Sequence, residues 1–274
     1  MVLTNYAGKK IYSWRDSLTN LYITLLNLMV DGLMRGTTIL AMAWALPFHF
    51  VNAVALKNAI PWLYWTLLVI AWEFMFYWMH RLEHSSRLFW AVHVTHHSSE
   101  HYNLSVGFRS SVFEPVYRFI FYLPLAFVGF KPLDCFLIFS CTQIYGLLVH
   151  TQYINRIPFY EWIFVTPAHH RVHHACNVRY LDRNMGMFLI FWDRMFGTYA
   201  DEIPEEKPQY GLLKKNYDLS IPFNVVLHEW KAVWKDVSRK DIPLKIKLNY
   251  IFKAPGWSHD GSRLTSNQLR EKMK

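Results

Sequence analysis

The histidines of this 274-residue chain constrain its fold more than any other feature. Nine of the fourteen form clusters: an HxxxH box, an HxxHH box, a single histidine and a second HxxHH box. Residues at positions i, i+3 and i+4 of a helix share a face, so each box can present two or three imidazoles in one direction. The nine are His80, His84, His93, His96, His97, His150, His170, His173 and His174.

Neutral imidazole is a ligand for zinc, copper, iron and nickel. Nine of them exceed what one ion uses, since common sites take about four to six ligands. The pattern therefore predicts a pair of metal ions. Structural zinc favours closed sites with cysteine. A haem with two histidine ligands needs one residue on each side of its ring and would not require three clustered boxes. A metal transport path needs ligands at bilayer depth, whereas the boxes all lie toward one face of the expected spans.

The composition predicts a membrane protein. Hydrophobic residues make up 53% of the chain and charged residues 18%, below the ~25% of an average soluble domain. The apolar residues concentrate between positions 18 and 154. Because roughly 20 apolar residues cross a bilayer, we expect four spans, and we interpret the shorter stretch Leu21 to Met34, which contains Asp31, as interfacial or re-entrant. The expected spans are 37–55, 60–79, 116–130 and 133–149.

Short turns at Lys57 to Ala59 and Lys131 to Pro132 predict that these spans form two helical hairpins. With a cytosolic N-terminus, Lys57 and Lys131 are the only Lys or Arg residues on the outer side, as the positive-inside rule favours. Both termini and all histidine boxes then lie on the cytosolic side of a bacterial inner membrane or of the endoplasmic reticulum.

The fold class expected from these patterns is an all-α, multi-pass membrane protein with a His-rich dimetal site under a cytosolic helical cap. We expect a single domain over residues 1–274, with the cap formed by residues 80–115 and 151–257 and a loosely ordered polar tail at 258–274. The net charge of +9 does not predict nucleic-acid binding, because the basic residues form no stripe interleaved with aromatic residues. Anionic lipid headgroups explain the charge better.

The order of the boxes, together with the words around them, resembles the fatty acid hydroxylase and sterol desaturase superfamily of membrane di-iron enzymes. Within it the sequence is most similar to alkylglycerol monooxygenase and its bacterial relatives, over about residues 60–257. The words that carry the resemblance are HRLEH (80–84), WAVHVTHHSSEHYNLSVGFRSSV (90–112), LLVHTQYI (147–154), TPAHHRVHHACN (166–177), IFWDRMFGTY (190–199) and FKAPGW (252–257).

The resemblance implies an oxygen-dependent lipid monooxygenase whose nine histidines bind two iron ions. It also implies a lipid substrate, such as an ether lipid that hydroxylation cleaves. The electron donor is then external: tetrahydrobiopterin, or a partner with a b-type cytochrome or ferredoxin. Two alternatives stay open. One is a hydroxylase or desaturase of the same superfamily that acts on sterols, sphingolipids or ornithine lipids, and the other is a non-enzymatic membrane metal carrier.

Other polar residues near the boxes are candidates for a tenth ligand or for contacts that orient the ligand rings. His169 directly precedes the last box, and His101 lies four residues after His97. Glu73 lies about two helical turns before His80, and a carboxylate inside a span usually has a functional partner. Candidate ring-orienting residues are Glu83, Glu100, Asn103, Asn177, Asp182 and Asp193.

Overall fold

The computed structural model describes residues 11–213 and 221–273, and in this part of the chain every regular element is a helix. The all-α expectation is thus confirmed. Both chain ends, predicted to be cytosolic, lie outside the described residues. The helices are α1 (Trp14–Ala45), α2 (Ala53–Ala59), α3 (Pro61–Ser85), α4 (Arg87–His97), α5 (Leu104–Gly107), α6 (Glu114–Phe127), α7 (Pro132–Leu148), α8 (Pro167–His173), α9 (Phe191–Phe196), α10 (Pro222–Val237), α11 (Leu244–Phe252) and α12 (Ser266–Glu271).

Helix α1 corrects the sequence interpretation. A short interfacial or re-entrant stretch at 21–34 and a first span at 37–55 were expected, but one helix of 32 residues runs through the first segment and into the second. Asp31 needs no interfacial position, because Arg35, one turn later, lies 2.5 Å from it and Arg118 of α6 forms a second ion pair. The helix ends at Ala45, followed by a 3₁₀ turn that contains Pro47, since proline has no N–H to continue the helical hydrogen bonds.

Within the described residues, the segment Trp14–Phe48 is the one helix long and apolar enough to cross a membrane by length and composition. The other three expected spans coincide with helices α3, α6 and α7. Each starts with a proline at one of its first two positions, where the missing N–H costs nothing. Helix α3 continues past position 79, as predicted, and so carries the first two histidines of the boxes.

These helices share one apolar core. Trp72 of α3 stacks on Tyr122 of α6, with ring centroids 3.8 Å apart, and Phe139 of α7 packs on the same indole. Met42 brings α1 into the same cluster. Aromatic pairs of this kind add about 0.5–1.5 kcal/mol to the burial of their surface.

The turns that follow α1 and α6 meet at one end of this bundle. The Phe50 N–H donates to the Phe127 carbonyl oxygen at 2.9 Å, and the Lys57 ammonium lies 2.7 Å from Asp134. Gly129, at φ +93°, has no room for a side chain, because a Cβ there would lie 2.3 Å from the Val51 carbonyl oxygen. The histidine-bearing ends of α3 and α7 therefore lie at the opposite end.

The chain after α7 closes over that histidine-bearing end. Helix α10 packs on α4 and on α1, where Val225 and Val226 meet Ile23. The expectation of a loosely ordered tail at 258–274 is wrong for its described part. Thr265 and Gln268 form a capping box that starts α12, and Arg270 donates to the carbonyl oxygen of Leu181 at 2.5 Å.

Candidate metal centre

The structure brings all nine box histidines together in two adjoining groups. Eight of the nine side chains are buried, and His96 is half-buried. Within each group the potential ligand atoms all lie within 4.8 Å of one another. The first group contains His80, His84, His93, His97 and His173, and the second contains His96, His150, His170 and His174.

Each HxxHH box contributes to both groups. On α4, His93 and His97 enter the first group and His96 the second. In the last box, His170 and His174 enter the second group and His173 the first. As expected, all three histidines of each HxxHH box point into the centre. Within it, the i and i+4 residues of a box share one group, and the i+3 residue belongs to the other group. The groups touch, since the rings of His97 and His174 stack with centroids 4.5 Å apart.

Backbone carbonyls fix the tautomer of four of these rings. A carbonyl oxygen only accepts, so each Nδ1 must donate and each Nε2 must carry a lone pair. Such contacts are the usual way in which a protein orients a metal-binding imidazole. The four contacts are His80 Nδ1 to Met185 at 2.7 Å, His96 to Arg109 at 3.1 Å, His150 to Gly146 at 2.6 Å and His173 to Arg183 at 2.9 Å.

The Nε2 atoms converge at distances that suit a shared cation. His150 Nε2 lies 3.1 Å from that of His174 and 3.0 Å from that of His170, and the His80 and His93 Nε2 atoms are 3.1 Å apart. Metal–nitrogen bonds of about 2.1 Å give a nitrogen–nitrogen separation of about 3.0 Å at right angles and about 3.4 Å at a tetrahedral angle. The observed separations match right angles, as in octahedral coordination.

Two further Nε2 atoms in the first group, those of His84 and His173, are buried and have no hydrogen-bond partner. A buried polar atom left unpaired costs about 1–3 kcal/mol. A cation bound by the group removes that cost, because it takes the lone pair of each ring. The described residues thus fit a pair of metal ions.

Burial holds the rings in the form that binds metal. It lowers the pKa of His93, His97 and His174 well below the usual value, and the neighbouring imidazoles lower it further. The pKa of His96 falls to about 4 and that of His150 to about 3, again mainly through burial. Near neutral pH these five rings are therefore uncharged even without a bound metal.

Two carboxylates lie against rings of the first group. Asp182, a candidate from the sequence, has Oδ1 3.2 Å from Nδ1 of His84. Glu83 has Oε2 3.1 Å from Nδ1 of His93, and its other oxygen accepts from the Tyr117 hydroxyl at 2.5 Å. A carboxylate at this position raises the basicity of a ligand imidazole.

His169 and His101 lie outside both groups. Nδ1 of His169 accepts from the Thr166 N–H at 3.3 Å, and the ring faces Glu161 and Asp201. Those two carboxylates are matched by Arg156, at 2.9 Å and 2.7 Å, so this third cluster is an ion-pair network around the start of α8. The contact described for His101 is through its backbone carbonyl, which accepts from a serine hydroxyl.

Three other candidates stabilise the backbone near the centre. Asn103 caps α5 through the Ser105 N–H at 2.9 Å, and Asn177 accepts from the Gln209 N–H at 2.7 Å. Glu73 is fully buried and accepts from the backbone N–H groups of Phe188 and Leu189, at 2.8 and 3.2 Å. It therefore holds the 185–190 loop against α3, and that loop provides the carbonyl bound to His80.

Sequence reasoning missed several residues that shape the centre. Arg109 is 1% exposed; its carbonyl holds His96, and its guanidinium donates to Asp16 and Asn20 of α1. Gly107 leaves the space for His150, since a Cβ there would lie 3.0 Å from the ring. No local pattern marks either residue, because both contacts join segments far apart in the chain.

Asp193 fixes the backbone of the loop that precedes it. Its carboxylate is fully buried and accepts from the N–H groups of Met185 and Gly186 at 2.6 and 2.8 Å and from the Thr198 hydroxyl at 2.6 Å. These bonds fix the Met185 carbonyl that binds His80. Asp193 was among the candidates for orienting a ring directly. In the structure it binds the loop backbone, and it is the loop that contacts His80.

Comparisons with known proteins agree with this geometry. Residues 65–198, which include all nine histidines, match the family model for fatty acid hydroxylase. The alkylglycerol monooxygenase of Xenopus tropicalis is 35% identical over 254 residues, covering 91% of this chain and 54% of that protein. That of Homo sapiens is 36% identical over 208 residues, covering 74% and 44%.

The ornithine lipid hydroxylase OlsE of Rhizobium tropici is 34% identical over 151 residues, covering 54% of this chain and 45% of that protein. The chain thus spans about half the length of the curated relatives that it matches. No solved structure matches it. The resemblance drawn from the histidine boxes is confirmed.

Proposed function

Because residues 65–198 form a fatty acid hydroxylase domain, we propose that this chain is a membrane-bound di-iron oxygenase that hydroxylates a C–H bond of a lipid. The observation that carries the proposal is the convergence of nine imidazoles in two touching groups. The balanced reaction takes the lipid, dioxygen, two electrons and two protons to the lipid alcohol and water.

Iron suits the first group better than zinc. A structural zinc site closes with four ligands in a tetrahedron, whereas this group offers five imidazoles, and its Nε2 separations match right angles. Iron bound here would supply the activation of dioxygen. The chain supplies orientation through the carbonyls behind the rings, and its buried surroundings exclude water.

We place α1, α3, α6 and α7 across the bilayer as two hairpins, with the metal centre on the cytosolic side. Three features support this placement. The turn end carries few cations, and Lys57 there is neutralised by Asp134. Apolar side chains on α1 are widely exposed, such as Met29 and Leu33 at 74% and 76%. The histidines lie at the end opposite the turns.

We propose an ether lipid of the alkylglycerol class as the substrate. The support is the 33–36% identity to vertebrate alkylglycerol monooxygenases, which for the Xenopus protein extends over 91% of this chain. Hydroxylation at the carbon beside the ether oxygen gives a hemiacetal, which collapses to an aldehyde and a free alcohol. The electrons come from tetrahydrobiopterin or from a b-type cytochrome or ferredoxin partner.

The test is oxygen incorporation by the full chain in nanodiscs. Protein purified without oxygen is loaded with ferrous ion, its iron content is measured, and it receives a 1-alkylglycerol, a sterol, a ceramide or an ornithine lipid under ¹⁸O₂ with tetrahydrobiopterin or a reduced ferredoxin. We expect two iron ions per chain and one labelled oxygen in the aldehyde released from the alkylglycerol, which is reduced at once to its alcohol so that the label does not exchange with water.

The control is His150→Ala, which removes one ligand of the second group only. Its product should be lost while metal stays bound in the first group. If only a different lipid gave a labelled product, the oxygenase activity would be supported and the proposed substrate class would be wrong. No labelled product from any lipid, with two iron ions verified, would refute the proposal.

A further inference from the structure

We propose that helix α11 is a membrane-contact helix that lies along the surface of an anionic bilayer. Leu244, Leu248 and Phe252 stand at i, i+4 and i+8 and therefore share one face. Their exposed fractions are 70%, 44% and 58%. The opposite face is packed, since Tyr250 is 2% exposed and its ring meets that of Trp257. An exposed apolar stripe on an otherwise packed helix marks an interaction surface.

The charges around this stripe specify the partner. Exposed lysines flank it at Lys240, Lys245 and Lys253. The neighbouring carboxylates are matched to arginines: Asp241 lies 2.5 Å from Arg239, and Asp236 forms ion pairs of its own. The lysines thus give the surface a net positive charge. A short helix with an apolar face and flanking lysines is typical of helices that lie in the headgroup region of anionic membranes.

The position of the helix favours lipid over a soluble protein. Helix α11 packs against α10, and α10 packs through Val225 and Val226 on Ile23 of α1. Helix α1 is the segment long and apolar enough to cross a membrane. Helix α10 itself exposes Phe223 and Trp234, at 58% and 72%. The stripe is thus one helix away from the bilayer-crossing element, and lysine stems can reach the headgroups.

Membrane contact at α11 depends on the membrane placement in the proposed function but not on the metal chemistry. The two are therefore tested separately. A failure of α11 to meet lipid leaves oxygen incorporation unaffected, and a chain without oxygenase activity can still bind lipid through this helix.

The experiment uses spin labels on the full chain in nanodiscs. Single cysteines replace Leu248 or Phe252 in a background with Cys141→Ala and Cys176→Ala; the remaining Cys135 is buried. The control label replaces Glu271, an exposed polar residue of α12. The readout is the ratio of collisions with oxygen, which concentrates in lipid, to collisions with a neutral nickel chelate, which stays in water.

In nanodiscs with phosphatidylglycerol we expect a ratio at Leu248→Cys and Phe252→Cys that is several-fold higher than at Glu271→Cys. With phosphatidylcholine alone the ratio should fall toward that of the control. Labels that the nickel chelate reaches as easily as the control would overturn the proposal. Labels shielded from both reagents would also overturn it, because they would show that protein covers the stripe.

Discussion

Replacing Glu83 with glutamine, beside Asp182→Asn, tests whether carboxylates behind the rings set the metal affinity of the first group. Both substitutions keep the shape of the side chain and an oxygen beside Nδ1, and both remove the negative charge of the ionised carboxylate. Burial raises the pKa of Glu83 well above its usual range, so that its charge is present in full only at alkaline pH. Loss of such a partner costs about 10- to 100-fold in metal affinity. The two sites differ in exposure, which predicts where each variant falls in that range.

Glu83 and its partner His93 are almost fully buried, with side-chain exposures of 2% and 7% at a separation of 3.1 Å. Asp182 is 34% exposed beside a buried His84, so water screens its charge. At alkaline pH, where Glu83 is ionised, we expect an affinity loss of about 100-fold for Glu83→Gln and about tenfold for Asp182→Asn. These losses correspond to about 2.7 and 1.4 kcal/mol.

The assay is a competitive titration of the metal-free chain with zinc or ferrous ion against a chelator of known affinity, under nitrogen. Only the affinity of the first group for its ion should fall, and that of the second group should be unchanged. Asp241→Asn, an exposed residue away from the centre, is the control and should bind both ions like the unmodified chain. Equal losses in the two variants, or a weakening of both ions alike, would refute the electrostatic reasoning.

Three further predictions concern the shape, the support and the titration of the centre. Gly107→Ala places a Cβ 2.8 Å from Leu147 and 3.0 Å from His150, so metal analysis should find that the second group has lost its ion and the first has kept its own. Two metal ions per chain in this variant would contradict the prediction. Asp193→Ala leaves two buried N–H groups unpaired and should destabilise the chain by about 2–4 kcal/mol in denaturant unfolding, whereas an unchanged midpoint would remove its supporting role. Burial lowers the pKa of His96 from 6.5 to about 4, so between these pH values the unfolded chain binds a proton that the native metal-free chain does not bind. The free energy of unfolding of the metal-free chain should therefore fall as the pH falls from 6.5 to about 4. A free energy of unfolding that does not change with pH in this range would contradict the prediction.

The sequence was sufficient to predict which histidines the fold brings together, because helical spacing acts locally. His80 and His84 lie one turn apart on a helix that was expected to continue past position 79. Spacing could not predict the division into two groups. The i+3 residue of each HxxHH box differs in direction from residue i by about 60° and from residue i+4 by about 100° around the helix axis. Only the packing of α4 against α8 and the end of α7 decides which group it joins.

The same limit explains the error at α1. Asp31 looks like a residue that ends an apolar segment, because its partner Arg118 lies 87 positions away. The tail was misjudged for a related reason. Its composition is polar, and the anchor of α12 is the contact between Arg270 and the distant Leu181 carbonyl. In both cases a charge has a partner in a distant segment, which local spacing does not predict, although Asp31 also pairs with Arg35 one turn away.

The loop of residues 183–190 shows how segments without ligands can still determine the centre. Its carbonyls at Arg183 and Met185 set the tautomers of His173 and His80, so the loop must be fixed relative to two helices at once. Asp193 binds it from one side and Glu73 of α3 from the other. A fully buried carboxylate is costly unless its hydrogen bonds are satisfied. The position of Glu73 is explained by the loop that it holds, since a fixed backbone behind His80 and His173 keeps their Nε2 atoms directed into the first group.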